Sequence, residues 1–198
     1  MAHSSSSRSP FLHNWLRWIA GFIAFPVAGL IGSFIVGRVD DTASALIGGA
    51  IAGLIIGTGQ ALAGNHRLQA SRWIPATTVG MSAGLVLGAA VVDYRTSLAA
   101  LALMGALNGL IVGACQAAAL PRGISRRWVW AAVVSVLWAL GWTVTALLLV
   151  RVDEQFIVFG AGGALVFAAL SGLALNGLVP SRQHRGIPAA LPTTSATT

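Results

Sequence analysis

Lysine is absent from this chain: every one of its 12 basic residues is an arginine. Without lysine, neither a Walker A phosphate loop nor a Schiff-base mechanism is available. Cysteine occurs once, at Cys115, so no intrachain disulfide can form and the redox compartment stays open. There are five acids, and charged residues of both signs make up 9% of the sequence, against roughly 25% in a soluble domain. Within the long apolar runs there is no Asp, Glu, His, Lys or Arg at all. Proton-coupled transporters and pumps depend on ionisable groups inside the bilayer, so transport driven by protonation is not expected. Intramembrane proteolysis is not expected either, because the runs hold neither an aspartate pair nor a His-Glu-x-x-His zinc helix.

What the chain does have is apolar length. Hydrophobic residues make up 56% of it, and 24 of its 198 residues are glycine. Runs long enough to cross a hydrocarbon core lie near 18–37, 42–63, 73–92, 97–120, 128–150 and 156–179. They predict an all-α integral membrane bundle of about six transmembrane helices, with short connections that make successive helices antiparallel. Residues 11–179 form this domain. The flanking segments 1–10 and 180–198, rich in Ser, Thr and Pro, have too little apolar content to pack and are expected to be disordered. The first run exceeds the roughly 7–15 residues of a signal-peptide core, and no A-x-A site follows it before Arg38, so it reads as a helix of the mature protein.

The arginines orient the bundle. Arg8, Arg17, Arg67, Arg72, Arg122, Arg126, Arg127, Arg182 and Arg185 fall on one side of the alternating spans, and Arg38, Arg95 and Arg151 on the other. The positive-inside rule puts both termini in the cytoplasm. All five acids, Asp40, Asp41, Asp93, Asp153 and Glu154, belong to the outer side. Trp15, Trp18, Trp73, Trp128 and Trp130 gather at the cytoplasmic ends, where amphipathic rings are expected to anchor the helices at headgroup level. The formal net charge of +7 does not point to nucleic acid, because the arginines sit in short loops and not on a soluble face. His3, His13, His66 and His184 lie in tails and one loop, too dispersed to form a metal site, and no cofactor is expected. Arginine without lysine, in an Ala- and Gly-rich chain, suggests a bacterial origin and hence the plasma (inner) membrane.

Two glycine ladders end in glutamine: Gly49, Gly53, Gly57, Gln60 and Gly105, Gly109, Gly113, Gln116. At 100° per residue the four positions fall within about 80°, giving each helix a side-chain-poor stripe closed by one amide. Small residues of this kind let helices approach closely in a bilayer. A worn third copy reads Gly160, Ala164, Ala168, Ser171. The preceding helices repeat as well, with Trp18 and Gly29, Trp73 and Gly84, and Trp130 and Gly141 at the same spacing. The chain therefore reads as three helical-hairpin repeats, near 15–63, 73–120 and 128–179, related by rotation about the membrane normal. The simplest packing is a ring with the even-helix stripes facing inward. Pro26 is expected to kink the first helix.

The G-x-x-x-G-x-x-Q helix followed by an arginine loop and a tryptophan-led helix resembles uncharacterised small polytopic proteins of bacterial membranes. The likeness covers 49–84 and 105–141, with Gln60 and Gln116 as the glutamine and Trp73 and Trp130 as the tryptophan; Ser171 departs from it. It implies an architecture and no activity.

The polar side chains left in the spans are Gln60, Asn108 and Gln116, with Ser171 and, further, Ser135, Thr143 and Thr145. Two roles fit the amides: clamps between helices or the lining of a path for a neutral solute. The outer acids fit either a ring at a channel mouth or local pairing with the arginine of each turn. Positive evidence for packing and none for chemistry favours a non-enzymatic accessory subunit, scaffold or homo-oligomeric module. Its partners would be the lipid bilayer and a membrane protein or a second copy. A passive channel or facilitator is the alternative, and a lipid-modifying enzyme built from loop residues is third.

Overall fold

The computed structural model describes residues 10–64, 67–124, 126–148 and 157–179. Among these residues every regular element is helical. The α-helices are α1 (Pro10–Ala20), α2 (Ala24–Val36), α3 (Thr42–Gly64), α4 (Ala70–Val91), α5 (Leu98–Ala119), α6 (Val129–Leu147) and α7 (Ala161–Leu178). A 3₁₀ turn, Gly21–Ile23, joins α1 to α2 into one continuous span. Six spans result, each long and apolar enough to cross a membrane. At 1.5 Å per residue the 23 residues of α3 extend about 34 Å, slightly more than a hydrocarbon core of about 30 Å.

The 3₁₀ turn in the first span has a local cause. Pro26 brings no N–H to the ladder, and its ring crowds the carbonyl four residues earlier, that of Phe22, inside the 3₁₀ turn. The span is also longer than the hydropathy reading of 18–37, because helix begins at Pro10. Gly37, with φ 70°, ends α2 through its N–H to Ser33 O at 2.9 Å. Asp41 starts α3: its carboxylate accepts from Ser44 N–H at 2.7 Å while Asp41 N–H donates to Ser44 Oγ at 3.2 Å, a reciprocal cap. Ser97 caps α5 in the same sense, accepting from Ala100 N–H at 3.3 Å.

Each helix packs on its successor, and α7 returns to α1, so the spans form a ring in chain order. Where α6, α7 and the segment before α7 meet α2, the interior is filled with aromatic rings. Phe159 stacks on Phe25 at 5.2 Å between centroids, meets Trp138 edge-on at 4.9 Å, and stands perpendicular to Trp142 at 6.1 Å. The outward surface carries Leu30, Phe34, Leu62, Val136 and Leu147, all exposed. A belt of such residues is untenable in water and ordinary against acyl chains.

The sixth span corrects the sequence reading. Helix starts at Ala161 and not at 156. Ile157, Val158 and Phe159 run ahead of it as a non-helical segment buried in the bundle. The Cδ1 atom of Ile157 lies where a Cβ on Gly32 or Gly48 would stand, 2.5 and 2.8 Å from those positions, so these glycines form its socket. Gly160 is the N-cap of α7 and no rung of a helical stripe. Irregular backbone at this depth is tolerated when it is buried in protein, and its Gly160 N–H is satisfied by Thr145 Oγ1 at 3.0 Å.

The stripes are turned differently from expectation. They face sideways, onto the next helix of the ring. A Cβ on Gly53 would lie 2.6 Å from Thr78 Cα and 2.8 Å from Thr77 O of α4; one on Gly49 would lie 2.7 Å from Met81 O. A Cβ on Gly109 would meet Trp138 Cβ at 2.6 Å and Val134 O at 2.7 Å of α6, and one on Gly113 would meet Ala131 Cα at 2.7 Å. Gly80 and Gly88 let α4 approach α5 from its other side, so α4 is clasped closely by both neighbours. Lateral placement is the natural outcome, because a stripe without side chains gains most where another backbone fills it.

Candidate functional site

Gln60 and Gln116, from α3 and α5, reach the same place inside the ring. Trp73 Nε1–H donates to Gln60 Oε1 at 3.0 Å, and the Gln116 amide donates to the same oxygen at 3.1 Å. The Gln116 nitrogen also donates to Thr77 Oγ1 at 2.9 Å, and the Gln116 oxygen accepts from Trp130 Nε1–H at 2.9 Å. Thr77 in turn donates to Trp73 O at 2.9 Å. Four helices, α3 to α6, are joined by this chain of bonds. An indole N–H can only donate, so both amide oxygens must face the tryptophans, which fixes the amide orientations. The two indoles face each other at 6.2 Å and 54°. All five residues are buried.

The third ladder ends in a matching contact. Trp18 Nε1–H donates to Ser171 Oγ at 3.0 Å, and Ser171 donates to Ala168 O at 3.4 Å. Beside it, Trp15 Nε1–H donates to Ala169 O at 2.9 Å. Gly172 gives the rings room: a Cβ there would stand 2.7 Å from Trp18 Cδ1 and 2.9 Å from Trp15 Cδ1. Arginines add bonds at the same end of the bundle. Arg17 donates to Leu62 O at 3.3 Å. Arg67 donates to Asn176 Oδ1 at 2.6 Å, to Leu175 O at 3.2 Å and to Val179 O, capping the last turn of α7 from the loop after α3. Burial lowers the Arg67 pKa from its usual value.

The interfacial role expected of the tryptophans therefore holds only in part. Trp128 is 55% exposed and has Arg127 over its ring at 5.5 Å, as an interfacial residue would. Trp18, Trp73 and Trp130 are instead buried donors, at 4%, 1% and 0% exposure. Their N–H groups need an acceptor inside the bilayer, and the ladder ends supply one. The signal was present in the sequence for two of them, since Trp73 and Trp130 each lie in the first turn or so of a helix, where a neighbouring ladder ends.

Asn108 does not join the network. It is fully buried against α4, its amide filling the notch left by Gly84, and neither its oxygen nor its nitrogen has a partner among the described residues. Ser135 bonds across to Ala106 O at 2.8 Å, whereas Thr143 and Thr145 turn back to Ala139 O and Gly141 O of their own helix, each at 2.8 Å. Of the outer acids, Asp41 is committed to its cap, and the bonds from Ser44 lower its pKa from 3.8. Asp40 and Asp93 are exposed on separate turns, and Asp93 has φ 53°. Asp153, Glu154, His3, His66 and His184, and nearly all of both tails, lie outside the described residues. Among the described residues no three His, Cys, Asp or Glu come together to hold a metal ion.

Comparison with known protein families, with curated proteins and with solved structures found no match to this chain.

Proposed function

We propose that the chain is a non-enzymatic plasma-membrane protein whose function is mechanical: a rigid three-hairpin ring serving as an accessory subunit, scaffold or self-associating module, with both termini in the cytoplasm. The observation that carries this reading is the use made of Gln60 and Gln116. A residue that conducts must offer its polar atoms to a passing solute. Here the Gln60 oxygen already accepts two bonds, and Gln116 uses both its oxygen and its nitrogen.

The three-hairpin arrangement draws support from the same contacts. Each ladder end accepts from the tryptophan of the hairpin that follows it: Gln60 from Trp73, Gln116 from Trp130, and Ser171 from Trp18, which returns to the start. Proteoliposomes test the function. With purified protein reconstituted, potassium, chloride and glycerol permeability should equal that of empty liposomes. Flux above that background, abolished by Gln60→Leu with Gln116→Leu, would replace the scaffold with a channel.

A further inference from the structure

Among the described residues the arginine-rich face contains no carboxylate side chain: Asp40, Asp41 and Asp93 lie in the turns at the other end of the helices. The described part of the protein therefore offers these cations no carboxylate side chain as a counter-charge. Arg17 and Arg67 are bonded to backbone carbonyls. Arg72 and Arg122 are different. Both are exposed, and among the described residues neither guanidinium makes a hydrogen bond or ion pair. Both line a groove of about 320 Å³ between α4 and α5, together with Ala76, Cys115, Ala118, Ala119 and Leu120.

We propose that this groove binds an anionic phospholipid, with Arg72 and Arg122 holding the headgroup phosphate and the alanine wall accepting the first part of an acyl chain. Charge complementarity selects the occupant. Two unpaired guanidinium forks at headgroup level match a phosphate diester, and basic pockets between helices at a membrane face are suited to anionic lipid. The small side chains of Ala76, Ala118 and Ala119 leave room beside them. The proposal needs the chain to sit in a bilayer and does not depend on whether the ring is a scaffold or a channel.

Cys115, the sole cysteine, lines the groove and reports on it directly. The full-length protein is placed in nanodiscs of phosphatidylcholine alone or with phosphatidylglycerol, and alkylation of Cys115 by N-ethylmaleimide is timed by mass spectrometry. Phosphatidylglycerol should slow alkylation about fivefold or more, on the scale of the attraction of surface arginines for anionic lipid. Arg72→Gln with Arg122→Gln should abolish that difference, whereas Arg126→Gln with Arg127→Gln, which removes equal charge elsewhere on the face, should preserve it. Equal rates in the two lipids for the unaltered protein would overturn the proposal. So would protection that survives Arg72→Gln with Arg122→Gln, or protection by inorganic phosphate in phosphatidylcholine discs that matches phosphatidylglycerol.

Discussion

Trp18 and Ser171, 153 positions apart, are joined by a 3.0 Å hydrogen bond from indole nitrogen to hydroxyl oxygen. With the Trp15 to Ala169 O bond beside it, this bond ties the first span to the last, where α7 returns to α1 and closes the ring. Interhelical bonds of this kind average about 0.6 kcal/mol and reach about 1.7 kcal/mol in membrane proteins. Ser171→Ala and Trp18→Phe should each lower the thermal midpoint in detergent. The double variant should lose less than the sum of the two, and full additivity would show that the contact contributes nothing as a pair.

Close helix approach makes the ladders intolerant of any side chain. Gly53→Leu and Gly109→Leu must push α4 and α6 away by the width of the new group, since even a Cβ would fall within 2.6 Å of Thr78 Cα or Trp138 Cβ. Overpacking of this kind costs about 1–3 kcal/mol or more, so both variants should show reduced yield and a lower unfolding temperature. Gly123→Ala is the control, because nothing stands within 4 Å of that position. Normal stability in both leucine variants would contradict the lateral packing.

The cap on α3 is sensitive to acid. Asp41 has its pKa lowered by the bonds from Ser44, so its contribution is complete above the unfolded-state value of about 4 and is lost as the pH falls through the lowered one. Amide exchange at Ser44, corrected for its intrinsic pH dependence, should therefore accelerate as the pH falls below about 4, and Asp41→Asn should remove that step. An unchanged profile in the variant would assign the transition to another group.

Orientation is open to direct labelling. In a Cys115→Ala background, Gly123→Cys should react with a membrane-impermeant maleimide only from the cytoplasm, and Thr96→Cys only from outside. The reverse pattern would invert the topology and place the arginine-rich face outside.

Much of this was legible because it is written in local periodicity. Small residues at every fourth position mark a stripe whatever lies beside it, and long apolar runs without charge mark the spans. The direction of each stripe was not legible, since it depends on which neighbour fills it. Trp18, Trp73 and Trp130 were misread because an aromatic ring at a helix end serves equally as a lipid anchor or as a buried donor. The choice is made by an acceptor on another helix. Hydropathy extends the sixth helix over Ile157, Val158 and Phe159 because it measures burial and not backbone conformation. The glycines at 160, 162 and 163 were the local hint that helix begins late.

Gln116 makes three bonds to other helices, more than Gln60 or Ser171, and is the residue through which the clamp can be judged. The thermal unfolding midpoint of Gln116→Leu, measured in detergent against the unaltered protein, tests the account most directly. Loss of three bonds at about 0.6 kcal/mol each predicts destabilisation near 2 kcal/mol, the largest among the single substitutions Gln116→Leu, Gln60→Leu and Ser171→Ala. A midpoint unchanged or raised by leucine would mean that the amide does not hold the ring together.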